Sequence, residues 1–157
     1  MKILAALDLA STTPALLKEA RKWAGALDSR LWLIHVAEPN PDFVGYETGP
    51  DTVRDAIAHQ LRVKRVELEE AAEELRRDGI EVTALAVQGP IAETILKEAG
   101  KIGADVILMG TRAHGKLHEW LMGSTSKGLL KKADRPVLLV PPRDEITDQN
   151  TVLPADS

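Results

Sequence analysis

The chain has 157 residues, 44% hydrophobic but only 3% aromatic, with 20 basic and 24 acidic side chains and a net charge of −4. That length suits one domain with a sizeable aliphatic core. The acidic balance argues against a sequence-independent nucleic-acid binder, and the lack of cysteine excludes a disulfide scaffold and thiolate metal sites.

Ile3 to Leu7 is a compact apolar run ended by Asp8, read as a first strand buried on both faces. The run is too short for a signal-peptide core, and no apolar stretch approaches membrane-spanning length. The expectation is a soluble cytoplasmic protein without membrane insertion. Ser11-Thr12-Thr13-Pro14 supplies cap residues, with Pro14 in the first helical turn. The helix that follows carries Leu16, Ala20, Trp23, Ala24 and Leu27 at helical spacing and ends near Asp28. Arg30 to Ala37 reads as the second strand. Pro39, Pro41 and Gly45 then break regular structure, so Glu38 to Gly49 is expected to be a loop, holding the only Phe and the only Tyr, Phe43 and Tyr46. Asp51 to Arg77 reads as one long helix with Ile57, Leu61, Leu68 and Leu75 in a stripe. Its Glu67, Glu69, Glu70, Glu73 and Glu74 are read as a solvated face before a metal or partner site.

Asp78-Gly79 turns the chain into a third strand, Ile80 to Val87, whose early alternation suits a place near a sheet edge. Gly89-Pro90 opens a helix with Ile91, Ile95, Ala99 and Ile102 on one side. Ala104 to Met109 is a fourth, buried strand. A loop with glycines at 110 and 115 leads to Gly123-Ser124-Thr125-Ser126 and a helix over Lys127 to Ala133. The last strand is Arg135 to Pro142, and the polar, aperiodic Arg143 to Ser157 is expected to be a mobile tail, leaving a domain of residues 1–142. Alternating strands and amphipathic helices imply a parallel sheet with helices on both faces. Right-handed crossovers place all strand C-termini along one edge, where ligands bind. Asp8, Val36, Val87 and Gly110 end their strands and are expected to converge there.

The stretch Met109 to Ser126 is the best candidate for a phosphate cradle. A glycine at a strand end allows a sharp turn and close ligand approach. Small hydroxyl residues at a helix start offer donors at the positive end of the helix dipole. The stretch is not a P-loop, since no Gly-Lys-Ser/Thr closes it, and not the dinucleotide GxGxxG, which follows a first strand. Its spacing resembles the universal stress protein family, whose nucleotide-binding members carry Gly-x2-Gly-x9-Gly-Ser/Thr after the fourth strand. Gly110, Ala113, Gly123 and Ser124 fall on that pattern. Ala113 departs from it, standing where the motif has its second glycine. Its methyl either crowds the phosphates or is accommodated by a bend in the loop. The resemblance covers roughly residues 1–141. It implies a Rossmann-like, adenine nucleotide alpha hydrolase-like fold with five parallel strands in the order 3-2-1-4-5. It also implies ATP, with Mg, bound in the cytoplasm by a regulatory stress-response protein, and a homodimer through Pro136, Val137, Leu138, Leu139 and Val140.

Candidate nucleotide-binding residues are Asp8, Val36, Val87, Gly110, Arg112, Ala113, Gly123, Ser124, Thr125 and Ser126. Asp8 is also a candidate for holding a nucleotide-bound Mg; alternatively it caps the next helix. Arg112 either approaches phosphates or is solvated. His114 and His118 have metal-ligand spacing, but no Cys or nearby Asp supports a site. His35 is expected to pack or hydrogen-bond at its strand end. A Ser-His-Asp hydrolase lacks its nucleophile elbow. No catalytic residue is assigned, and at most slow ATP hydrolysis is expected. A second reading is a dimeric interaction module of the same fold that binds no nucleotide. A third, an adenylyltransferase or ATP pyrophosphatase, is disfavoured because neither a His-x-Gly-His pair nor a Ser-Gly-Gly-x-Asp-Ser loop is present.

Overall fold

A computed structural model describes residues 1–39, 51–111 and 123–142, except the side chains of 51–54 and 57. The 143–157 tail, the loop from residue 40, and Arg112, Ala113, His114 and His118 lie outside the described residues.

Five strands alternate with four helices among the described residues: β1 (Lys2–Ala6), α1 (Thr13–Ala26), β2 (Arg30–Ala37), α2 (Asp51–Arg77), β3 (Val82–Gln88), α3 (Ile91–Ile102), β4 (Val106–Gly110), α4 (Ser124–Lys132) and β5 (Val137–Val140). The strands form one parallel sheet in the order β3-β2-β1-β4-β5. Successive strand residues point to opposite faces, and this parity divides the core in two. Ile3, Ala5, Leu31, Leu33 and Leu108 pack under α1 and α2, through Leu16, Ala20, Leu68 and Leu75. Leu4, Ile34, Ile107 and Met109 pack under α3 and α4, through Ile95, Ala99 and Leu129. Each central strand is thus apolar on both sides, which is why β1 and β4 read as unbroken hydrophobic runs.

Element ends shift for local reasons. β3 starts at Val82 and not at Ile80, because Gly79, at φ 82°, and Ile80 still bond back to the end of α2. β5 is confined to four residues between Pro136 and Pro141, since proline has no N–H for a ladder. α4 begins three residues earlier than expected, at Ser124, with Gly123 as its N-cap and the Gly123 carbonyl accepting from the Lys127 N–H at 3.1 Å. Two residues of the expected helical stripes fall outside the core. Leu27 and Leu61 are exposed: Leu27 lies just past the last turn of α1, and α2 is buried from Leu68 onward.

The edge of the sheet away from the strand C-termini is closed by charge. α3 ends at Gly103, in the left-handed region at φ 63°. The Arg135 guanidinium donates to the carbonyls of Ala99 and Ala104, each at 2.9 Å, and pairs with Asp134 at 2.7 Å. That hydrogen bond from Arg135 holds the Asp134 carboxyl below the usual carboxylate range. Among the described residues, no helix is long and apolar enough to cross a membrane.

Candidate functional site

The strand order reverses direction between β1 and β4, and the chain leaves both strands there. Such a switch leaves a crevice beyond the strand ends. β1 runs one residue past its ladder, with the Leu7 N–H donating to the Ile34 carbonyl at 2.8 Å. Asp8 follows, and Leu9 turns the chain in the left-handed region at φ 55°. The Asp8 Oδ1 accepts from the Ala10 N–H at 2.9 Å and from the Thr13 hydroxyl at 3.0 Å. Asp8 therefore fastens the turn into α1. It does not cap the helix directly: the N-cap is Thr12, which makes no side-chain cap bond.

On the far side of the crevice β4 ends at Gly110. A Cβ built there would lie 2.7 Å from both Cβ and Oγ1 of Thr12. Thr12 is only 4% exposed, so it has little room to retreat. Glycine at 110 is thus demanded by the first turn of α1 itself, where the sequence suggested only a ligand's approach. Gly123 is the opposite case. Its φ is −61°, which any residue adopts, and an added Cβ would meet nothing within 4 Å. No packing contact within the described chain calls for glycine at this position; the space beside it belongs to the crevice.

The crevice is a cavity of about 500 Å³, within the range of ligand pockets. One part is apolar: Ile34, Val36 and Met109 from the strands, Ile91 and Ile95 from α3. The other part is polar: Asp8, Thr12 and Glu38 near the strand ends, and Gly123, Ser124, Thr125 and Ser126 at the α4 start. The first N–H groups of α4 have no partner within the helix and carry its positive end. Thr12 and Ser126 are each 4% exposed, and both line the cavity. Among the described residues, the Thr111 Oγ1, next in the chain to Gly110, is buried without a hydrogen-bond partner.

Of the residues expected at a site, Asp8, Val36, Gly110, Gly123, Ser124, Thr125 and Ser126 are brought together. Val87 is not in the lining. It pairs with Val36 in the ladder and so stands one strand farther from the switch point. Arg112 and Ala113 are outside the described residues. Thr12, Glu38, Ile91 and Ile95 line the cavity without having been expected there. Thr12 had read as a cap residue and the two isoleucines as a core stripe; only the crevice beside them distinguishes them. His35 bonds at its strand end, its Nδ1 donating to the Leu7 carbonyl at 2.9 Å. Among the described residues no group of three or more His, Asp or Glu could hold a metal ion.

Residues 1–141 match the family model described as the universal stress protein family. A universal stress protein of Thermus aquaticus is 35% identical over 127 residues, 77% of this chain and 84% of that one. A second, from Methanocaldococcus jannaschii, is 28% identical over 151 residues, covering 88% of this chain and 93% of its own. Among solved structures, an Archaeoglobus fulgidus universal stress protein in complex with dAMP superposes with a TM-score of 0.61 at 20% identity, over 89% of this chain and 97% of that one.

Proposed function

The chain belongs to the universal stress protein family, and from that premise we propose that it binds an adenine nucleotide, ATP with Mg, in the switch-point cavity. The observation that carries this reading is the cavity's division into an apolar slot and a hydroxyl-rich helix start, joined by Asp8 and Thr12. A base packs between Val36, Ile91, Ile95 and Met109. The ribose lies by Asp8 and Glu38. The phosphates reach the N–H groups and hydroxyls of Ser124, Thr125 and Ser126, where each well-formed charge-assisted bond contributes roughly 1.5–3 kcal/mol. The unexplained glycine at 123 leaves room for them. The dAMP held by the Archaeoglobus relative belongs to the same class of ligand.

Mg²⁺ takes one or two carboxylates and completes its shell with phosphate and water. Asp8, lining the same cavity as the α4 hydroxyls, fits that demand, and the ion would offset phosphate charge there. The protein is a cytoplasmic regulatory binder in this reading, with at most slow hydrolysis; Asp8 organises the turn and the ligand. The homodimer through Pro136–Val140 is part of the same proposal. β5 is an outer strand of the sheet, and an unpaired apolar edge favours pairing with a second copy. Sedimentation at micromolar concentration should give a dimer; a monomer alone removes that part.

The test is mass analysis of nucleotide released from denatured protein, with calorimetric titration of ATP into Gly123→Val. The substitution should leave the fold intact and abolish measurable binding. Should Gly123→Val bind as the parent does, the phosphates lie elsewhere. Should the parent bind no nucleotide, the dimeric interaction module becomes the reading to adopt.

A further inference from the structure

A second cavity, of about 230 Å³, opens on the α2 side of the sheet, beyond the ends of β2 and β3. It is lined by His35 and Gln88 from the strands and by Leu61, Arg62, Lys64 and Arg65 from α2. Three cations thus gather on one small concavity in a chain whose net charge is −4. Lys64 is partly committed, to Glu67 at 2.9 Å. Arg62 and Arg65 have no ion pair or hydrogen bond among the described residues. Elsewhere Arg21, Arg30, Arg76 and Arg135 each hold a carboxylate at 3.0 Å or less, while Arg77, at the end of α2, holds none among the described residues.

This turn of α2 stands clear of the core: Arg62 and Arg65 are exposed where they line the cavity, and Val63 and Val66 are 40% and 56% exposed. Arginine presents a planar fork of donors that matches an oxyanion in two bonds at once, and two such forks one helical turn apart can grip one anion from the same side. The volume is below that of ordinary small-molecule pockets, which limits the occupant to something compact.

We propose that this cavity is a second ligand site, taking a compact inorganic phosphate or pyrophosphate between Arg62, Arg65 and Lys64, with His35 at its inner wall. The site is separate from the nucleotide cavity and does not depend on the reading given for it. His35 also touches both regions, since its ring lines this cavity and its Nδ1–H is held by the carbonyl of Leu7, a residue lining the first. Its ring signal is therefore a local reporter of occupancy.

Inorganic pyrophosphate is titrated at constant ionic strength into the parent, Gly123→Val and the double variant Arg62→Gln/Arg65→Gln, by calorimetry and by the imidazole resonances of His35. Both arginines are exposed, and thermal melting checks that the double variant keeps its fold. The expected result is saturable binding by the parent and by Gly123→Val, with a shift of the His35 signals. Binding should be at least about tenfold weaker in the double variant, about 1.4 kcal/mol by that conversion, and its His35 shift should vanish. No saturable binding by the parent overturns the proposal. So does loss in Gly123→Val, which would put the anion at the α4 start, and so does undiminished binding by the double variant.

Discussion

Replacing Gly110 by alanine tests whether the strand-four glycine serves the fold or the ligand. The new Cβ would stand 2.7 Å from Thr12 Cβ and Oγ1 and 3.4 Å from its Cγ2. Carbon atoms in good contact stand about 3.5–4.0 Å apart, so something must move by roughly 1 Å. Thr12 is buried, and its carbonyl accepts the Leu16 N–H at 3.1 Å, so displacing it disturbs the first hydrogen bond of α1. Overpacking of this kind costs about 1–3 kcal/mol. In a domain of this size each kcal/mol lowers Tm by roughly 2–4 °C. Thr12→Gly removes the obstructing Cβ at an N-cap where glycine is well tolerated. The assay is urea and thermal unfolding of Gly110→Ala, Thr12→Gly and the double variant. The double variant should be no less stable than Thr12→Gly alone, giving an interaction of about 1–3 kcal/mol in the cycle. If Gly110→Ala melts within about 0.5 kcal/mol of the parent, or if the two changes simply add, the close packing is not what demands glycine there.

Arg135→Leu removes both donors from the Ala99 and Ala104 carbonyls and should lower unfolding free energy by about 2 kcal/mol in a urea titration; a loss too small to measure would show that water replaces them. Asp134 has its folded pKa lowered chiefly by the Arg135 hydrogen bond. Its contribution to stability is therefore full above the ordinary value of 3.8 and is lost as pH falls through the lower folded value. Asp134→Asn should flatten the acid limb of a plot of Tm against pH, and an unchanged limb would contradict the assignment. Thr13→Val deletes the hydroxyl bond to Asp8 Oδ1 and should weaken ATP severalfold, with Thr13→Ser restoring it; equal affinities in all three proteins would show that Asp8 needs no such anchor.

Periodicity in the chain determined the elements and the layers. The unbroken apolar runs at Ile3–Leu7 and Ala104–Met109 required strands covered on both faces, and the fold covers them with α1 and α2 on one side and α3 and α4 on the other. Residues at strand ends and at a helix start had to reach one edge, so Asp8, Val36, Gly110 and Gly123–Ser126 were legible as neighbours. Distance between strands was not legible. Val87 ends its strand as Val36 does, but the ladder that pairs the two sets Val87 one strand away from the crevice. Nor could the chain tell its two motif glycines apart. Gly110 meets a side chain about a hundred residues earlier, and Gly123 meets none within 4 Å. The same holds for Leu27 and Leu61, which keep the helical rhythm but are exposed, Leu27 just past the last turn of α1 and Leu61 on α2 ahead of its buried stretch. A repeat of 2.0 or 3.6 residues states which way a side chain points along its own element. What it meets there depends on how separate elements are docked, and that is set by packing among residues remote in sequence.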